Sequence, residues 1–166
     1  MRSFERSFKH ITQNDLRRLA DIAKEDRMDL FNRKPELGKL YKNRVICVTL
    51  CQGAALHYVD GKNGIKDFDV WTFYREHPQQ PFPYRRNMAR DFGDPKFGKT
   101  PGKTDFKGRC VDLIGRSIPW ERGQTLIQTL INYLKYSKNL TPRLLSGKAV
   151  IILEPYDLIG TVVWPI

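Results

Sequence analysis

The sequence predicts an α/β (α+β) fold, a small mixed sheet of about four to five strands flanked by helices, in one domain spanning residues 1–166. Three observations point there. At 166 residues with 40% hydrophobic content, the chain can close one core more readily than two. Stretches with helical periodicity alternate with short β-branched runs that end in glycine or proline. The longest apolar runs, such as "AVIIL" at 149–153, are far too short to cross a bilayer.

From Thr12 onward, Leu16, Leu19, Ala20, Ala23, Leu30 and Phe31 recur at helical spacing, and Thr12 with Asp15 forms a capping signal, so an amphipathic helix is expected over about 13–32. Pro35 and Gly38 interrupt it. "NRVICVTLCQG" then supplies a buried strand at about 44–51, and Ala54, Ala55 and Leu56 suit a short helix before the Asp60-Gly61 turn. A second strand is expected at about 67–74, within "GIKDFDVWTFY". Residues 76–109, dense in proline, glycine and lysine, show no sustained period and predict a long basic loop. "RCVDLIGRSI" at 109–118 reads as a third strand closed by Pro119. Leu126, Ile127, Leu130, Ile131 and Leu134 lie on one helical face, and "KAVIILE" supplies a fourth strand after a Thr141-Pro142 helical start.

Charge narrows the partners. The chain carries 29 Lys+Arg against 18 Asp+Glu, a net +11, which favours a polyanion such as nucleic acid or a nucleotide. Residues 75–109 hold nine basic and four acidic side chains. Tyr84, Phe92, Phe97 and Phe106 interleave there with Arg85, Arg86, Arg90 and Lys99, a pattern suited to stacking on bases while cations follow phosphates. The opening "MRSFERSFKH" carries charges where a secretion signal needs apolar residues, so a cytoplasmic location without membrane attachment is expected. Three cysteines, Cys47, Cys51 and Cys110, are too few for a disulfide framework and fit core packing. With His57 they make neither a tetrahedral metal set nor an evident nucleophile turn.

The chemistry-bearing feature is carboxylate placement. Residues i and i+2 of a strand leave the same face, so Asp67 and Asp69 project together while Phe68 and Val70 face the other way. Alone, the pair suits a solvated strand end beside Lys66. Asp112, between Val111 and Leu113, adds a third acid whose neighbours want burial. Clustered buried carboxylates are costly unless a cation compensates them, and magnesium or manganese takes such hard oxygen ligands and completes its shell with water and phosphate.

The ordered pieces "TLCQGAA", "LHYVDGKNGIK", "DFDVW" and "CVDLIG", over residues 44–118, resemble the nucleotidyltransferase superfamily that includes DNA polymerase beta and minimal or toxin-like members. The resemblance implies a metal-dependent transfer of a nucleoside monophosphate from a nucleoside triphosphate, ATP among the candidates, to a hydroxyl acceptor. Asp67 and Asp69 would hold Mg2+ or Mn2+ on the triphosphate, and Asp112 would complete the metal near the attacking hydroxyl. Gly53 would let the backbone approach the phosphates, with the amide of Ala54 where the family carries serine or a second glycine. Lys66, Arg86 and Lys103 are the candidate cations for the nucleotide, the last two also for an RNA or DNA acceptor along 75–109. A second reading keeps the fold as an inactive module that binds nucleic acid through its basic loop. A metal-dependent nuclease is the third.

Overall fold

The computed structural model describes residues 6–83 and 85–166, with side chains 85–88 outside the description. It contains one six-stranded mixed sheet and five α-helices. In chain order these are α1 (Gln13–Arg33), α2 (Pro35–Tyr41), β1 (Val45–Cys51), α3 (Gln52–Asp60), β2 (Phe68–Arg75), β3 (Arg85–Asp91), β4 (Cys110–Ile118), α4 (Leu126–Tyr136), α5 (Leu140–Leu145), β5 (Val150–Glu154) and β6 (Val162–Trp164). The sheet order is β3-β4-β2-β1-β5-β6. Only β2 and β4 run parallel; every other neighbouring pair is antiparallel. Among the described residues, no helix is long and apolar enough to cross a membrane.

Alternation along the strands builds two cores. One face of the sheet sends Val48, Leu50, Phe68, Val70, Val111, Leu113, Ile151 and Leu153 towards Leu16, Leu19, Ala20 and Ala23 of α1 and Ala54 and Ala55 of α3. The other sends Cys47, Cys51, Trp71, Phe73, Ile114, Ile118, Val150 and Ile152 against Leu130, Tyr133 and Leu134 of α4 and Leu145 of α5. Burying both faces explains why β1 and β5 read as nearly unbroken apolar runs. α1 begins with the reciprocal cap foreseen in sequence, Thr12 with Asp15. α2 carries Pro35 in its first turn, and Gly38 sits so close to Phe31 that a β-carbon would lie 3.0 Å from the Phe31 Cβ. The glycine thus serves helix–helix contact rather than chain breaking.

The segment 76–109 departs most from expectation. Instead of a continuous loop it contains β3, paired with β4, and a 3-10 turn at Pro95–Phe97. Phe92 and Phe97 are buried, their rings 5.1 and 5.3 Å from that of Phe68, so they pack the core and do not offer faces to bases. Arg90 is taken up by Asp26 at 2.9 Å, with Asp29 and Glu25 alongside, and Lys96 by Asp15 at 2.6 Å. Four acids of α1 thereby neutralise cations that in sequence belong to the basic run.

Asp91 ties the ends of the remaining loop together. Its carboxylate accepts from the amides of Gly93 (2.8 Å), Lys107 (2.6 Å) and Gly108 (2.8 Å). Burial pushes this carboxyl up, but the three amides outweigh it and hold it below its ordinary value. A folded value depressed relative to the unfolded chain means that the stabilisation is present above the ordinary carboxylate value of about 3.9 and is lost as pH falls below it. Asp91→Ala is expected to cost about 1.5–3 kcal/mol at neutral pH, the range for hydrogen bonds to a charged group, and progressively less at acid pH, below the ordinary carboxylate value of about 3.9. Urea unfolding of both proteins at neutral and acid pH checks this.

Candidate active site

The site lies at the end of the sheet where β1 finishes and β2 and β4 begin. Parallel pairing sets Asp69 directly beside Asp112, flanked by Phe68 beside Val111 and Val70 beside Leu113. On the other side of β2, Asp69 pairs with Cys51, the last residue of β1. Both acids leave the face covered by α4 and α5, just beyond the apolar cover supplied by Trp71 and Ile114. Asp112 is buried, while Asp67 and Asp69 are partly exposed.

A cavity of about 390 Å³ opens above this edge, lined by Gln52, Gly53, Lys66, Asp67, Asp69 and Trp71, with Arg6, Ile114, Leu144 and Lys148 around it. The turn from β1 into α3 forms one wall. Gln52 has φ +63°, an uncommon left-handed conformation for a residue with a side chain. Such a residue beside right-handed ones curls successive amides towards one concavity, a geometry that receives anions. The N-terminus of the nine-residue α3 has no side-chain cap. A β-carbon added to Gly53 meets nothing within 4 Å. Neither packing nor a positive φ therefore demands glycine here; what it leaves is an uncovered stretch of backbone beside the carboxylates. Ala54 is 1% exposed and packs in the α1 core, so only its amide is in a position to serve the cavity.

The loop after β3 packs behind Lys66 and Asp67. The Thr100 hydroxyl lies 2.9 Å from Asp67 Oδ1 and 3.2 Å from the Lys66 carbonyl oxygen, and it accepts from the Cys110 amide at 2.9 Å. Arg109, 4% exposed, donates from Nε to the Phe97 carbonyl (2.7 Å) and from Nη1 to the Lys66 carbonyl (3.2 Å). Burial pulls its guanidinium below the usual arginine value, opposed by the charge of Asp67 and reinforced by that of Arg6. The Cys51 and Cys110 thiols are pushed up to about 12. Burial is the main cause in each. The Thr49 hydroxyl opposes it at Cys51 and the Asp69 charge adds to it, while at Cys110 the charges of Asp112 and Asp67 add to burial. Protonated buried thiols are poor nucleophiles, in keeping with a packing role.

The structure thus brings Asp67, Asp69, Gly53 and Lys66 to one cavity and sets Asp112 beside Asp69. Lys103 lines a neighbouring cavity, with Thr100 and Arg109 also on its wall. Arg86 stands on β3 opposite Ile114, its side chain outside the described residues. His57 is remote in role: its ring nitrogens face the Asn63 carbonyl at 2.6 Å and the Lys9 carbonyl at 3.0 Å, which tethers the N-terminal segment.

Sequence reasoning missed Gln52, Thr100, Arg109 and Lys148. Lys148 lies two residues before Val150, the residue of β5 that pairs with Cys51. Among the described residues, no three or more His, Cys, Asp or Glu side chains are grouped to hold a metal ion. Asp69 and Asp112 pair across the parallel strands, and Asp67 lines the same cavity as Asp69. No family model, curated protein or solved structure matches the chain.

Proposed function

We propose that the protein is a metal-dependent nucleotidyltransferase in which an acceptor hydroxyl attacks the α-phosphorus of a nucleoside triphosphate, taking the nucleoside monophosphate and releasing pyrophosphate. The observation that carries this reading is the juxtaposition of Asp69 and Asp112 on parallel strands at the foot of an uncapped, glycine-bearing helix start. Asp67, Asp69 and Asp112 would hold Mg2+ or Mn2+, which supplies charge neutralisation on the phosphates and activation of the attacking hydroxyl. The amides at Gly53 and Ala54 bind phosphate oxygens, and Lys66 and Lys148 balance the remaining negative charge. Asp112, buried beside Asp69, would accept the proton of the acceptor hydroxyl. Trp71 and Ile114 close the floor of the cavity against water.

Gly53→Ala separates this role from a structural one. With open space at its β-carbon, the variant is expected to be as stable as the parent or more stable by at most about 1 kcal/mol, since alanine is the better helix former. Affinity for magnesium–ATP is expected to fall roughly tenfold, about 1.4 kcal/mol, because the methyl group occupies the space next to the phosphate. Thermal unfolding and calorimetric titration measure the two effects.

Incubation with each α-32P-labelled nucleoside triphosphate, magnesium and a mixed cell extract tests the activity itself. Label transferred to a macromolecule or small molecule supports the proposal. Cleavage of nucleic acid without transfer assigns the carboxylates to a nuclease instead, and salt-sensitive RNA binding with neither reaction favours the inactive binding module.

A further inference from the structure

Six of the nine cations of residues 75–109 divide sharply in the structure. Arg90 and Lys96 are paired with α1, Arg109 is buried among carbonyls, and Arg75 donates to the Asn43 carbonyl beside Trp120. Lys99 and Lys103, in contrast, line a cavity of about 550 Å³ formed by residues 98–104 and Arg109. No carboxylate is on its wall. Gly98 and Gly102 both have positive φ, +74° and +85°, and give the short loop the two reversals that fold it round this space. Lys99 Nζ reaches back to the Thr104 carbonyl at 3.0 Å, and Lys103 lies over the Phe106 ring at 5.7 Å, so both stems are guided.

This cavity shares a wall with the carboxylate site. Thr100, 8% exposed, lies on the loop side and bonds to Asp67, which lines the other cavity; Arg109 on the same side bonds to the carbonyl of Lys66, which also lines it. The charge of Lys103 is felt at Cys110, as are those of Asp112 and Asp67. Cations line both cavities, Lys99 and Lys103 the one and Lys66, Lys148 and Arg6 the other, where Asp67 and Asp69 also stand. Cations on two adjoining cavities match a ligand with one phosphate per nucleotide.

We propose that the 98–104 loop holds a backbone phosphate of a single-stranded nucleic acid, whose terminal hydroxyl is thereby led to Asp112; calling that strand the acceptor rests on the nucleotidyl-transfer reading above. The triphosphate occupies the cavity beside Gly53, and the strand occupies the loop cavity. Lys99 and Lys103 fix the strand by charge, without selecting base sequence.

The test uses the full chain, a fluorescein-labelled oligouridylate of about 12 nucleotides, and anisotropy titrations in EDTA at several salt concentrations. The double variant Lys99→Glu/Lys103→Glu is expected to bind at least about tenfold more weakly than the parent, with the salt slope reduced by about 0.7 from the lost phosphate contact. Asp69→Asn is expected to bind the oligonucleotide as the parent does. Unchanged affinity and slope in the double variant, or no binding by the parent, overturns the proposal. So does a double variant that loses magnesium–ATP affinity while keeping the oligonucleotide, since the lysines then belong to the triphosphate. Matching thermal unfolding of parent and variant excludes misfolding. A result with oligonucleotide binding lost in the variant, but no label transfer by the parent in extract, leaves the loop site standing and removes the enzyme reading alone.

Discussion

Asp69→Asn is expected to weaken magnesium–ATP binding by at least about a hundredfold, the loss that the proposed role of its carboxylate as a metal ligand entails. The amide keeps the shape of the side chain and its place opposite Asp112 and Cys51. What goes is one negative charge. None of the neighbours can replace it: the Cys51 thiol stays protonated with its value pushed up to about 12 by burial, and Lys66 is a cation. The same variant makes a second, opposite effect measurable. Like charges directly paired across strands destabilise by up to about 1 kcal/mol, so without metal the neutral variant is expected to unfold at equal or higher urea than the parent. Magnesium then stabilises the parent and leaves the variant unmoved. Calorimetric titration of nucleotide, together with urea unfolding with and without magnesium, checks both signs. Equal nucleotide affinity in the two proteins would remove the carboxylates from the site.

The second large effect concerns the residue between the two aspartates. Phe68→Ala is expected to destabilise the fold by about 3–5 kcal/mol, as for other fully buried aromatic side chains cut back to the β-carbon. Phe68 has no exposure, stacks on Phe92 at 5.1 Å and meets Phe97 edge-on at 5.3 Å, while Phe92 and Phe97 meet each other at 5.4 Å. The ring therefore joins the first residue of β2 to both ends of the segment that leads from β3 into the Thr100 loop. Its loss leaves a hole lined by two other rings, which cannot collapse without moving that loop. Phe68→Leu keeps most of the volume and is expected to cost less than about 1.5 kcal/mol. Urea denaturation of the pair gives the difference, and a cost below 1 kcal/mol for the alanine variant would show that the aromatic trio is not the anchor argued here.

The elements that were legible in the sequence are those whose stabilisation is written locally. α1 announces itself by its cap and period, β1 and β5 by unbroken apolar runs, and β2 by an apolar run around Asp69, with Asp67 lying just ahead of its first residue. Asp112 could be singled out because its neighbours are apolar, but its position opposite Asp69 depends on a parallel register that no local pattern encodes. β3 was hidden for a physical reason. "RRNMARD" is an edge strand rich in charge, which is how edges avoid pairing with other chains, and it is held by β4 on one side and by Arg90 reaching the acids of α1. β6 is three residues long and sits at the other edge. The role of each cation in the basic segment was likewise illegible, because the partners of Arg90 and Lys96 lie on the first helix, far away in sequence. Composition registered the charge excess; only the fold divides it into cations already spent on carboxylates and cations that face a cavity.

The parallel pairing of β2 with β4 also sets a timetable. Antiparallel neighbours such as β1 and β2 meet through the short α3 connection, whereas β4 reaches β2 only after the whole of β3 and its loop have been made and folded back. Long-range parallel pairing is slow because loop closure must precede any gain from contact. During synthesis Asp69 emerges well before Asp112, so the helix start at Gly53 is complete before the carboxylate pair beside it. In refolding, recovery of metal-linked nucleotide affinity is therefore expected to lag behind recovery of helical signal, and the interval between them times the docking of one strand.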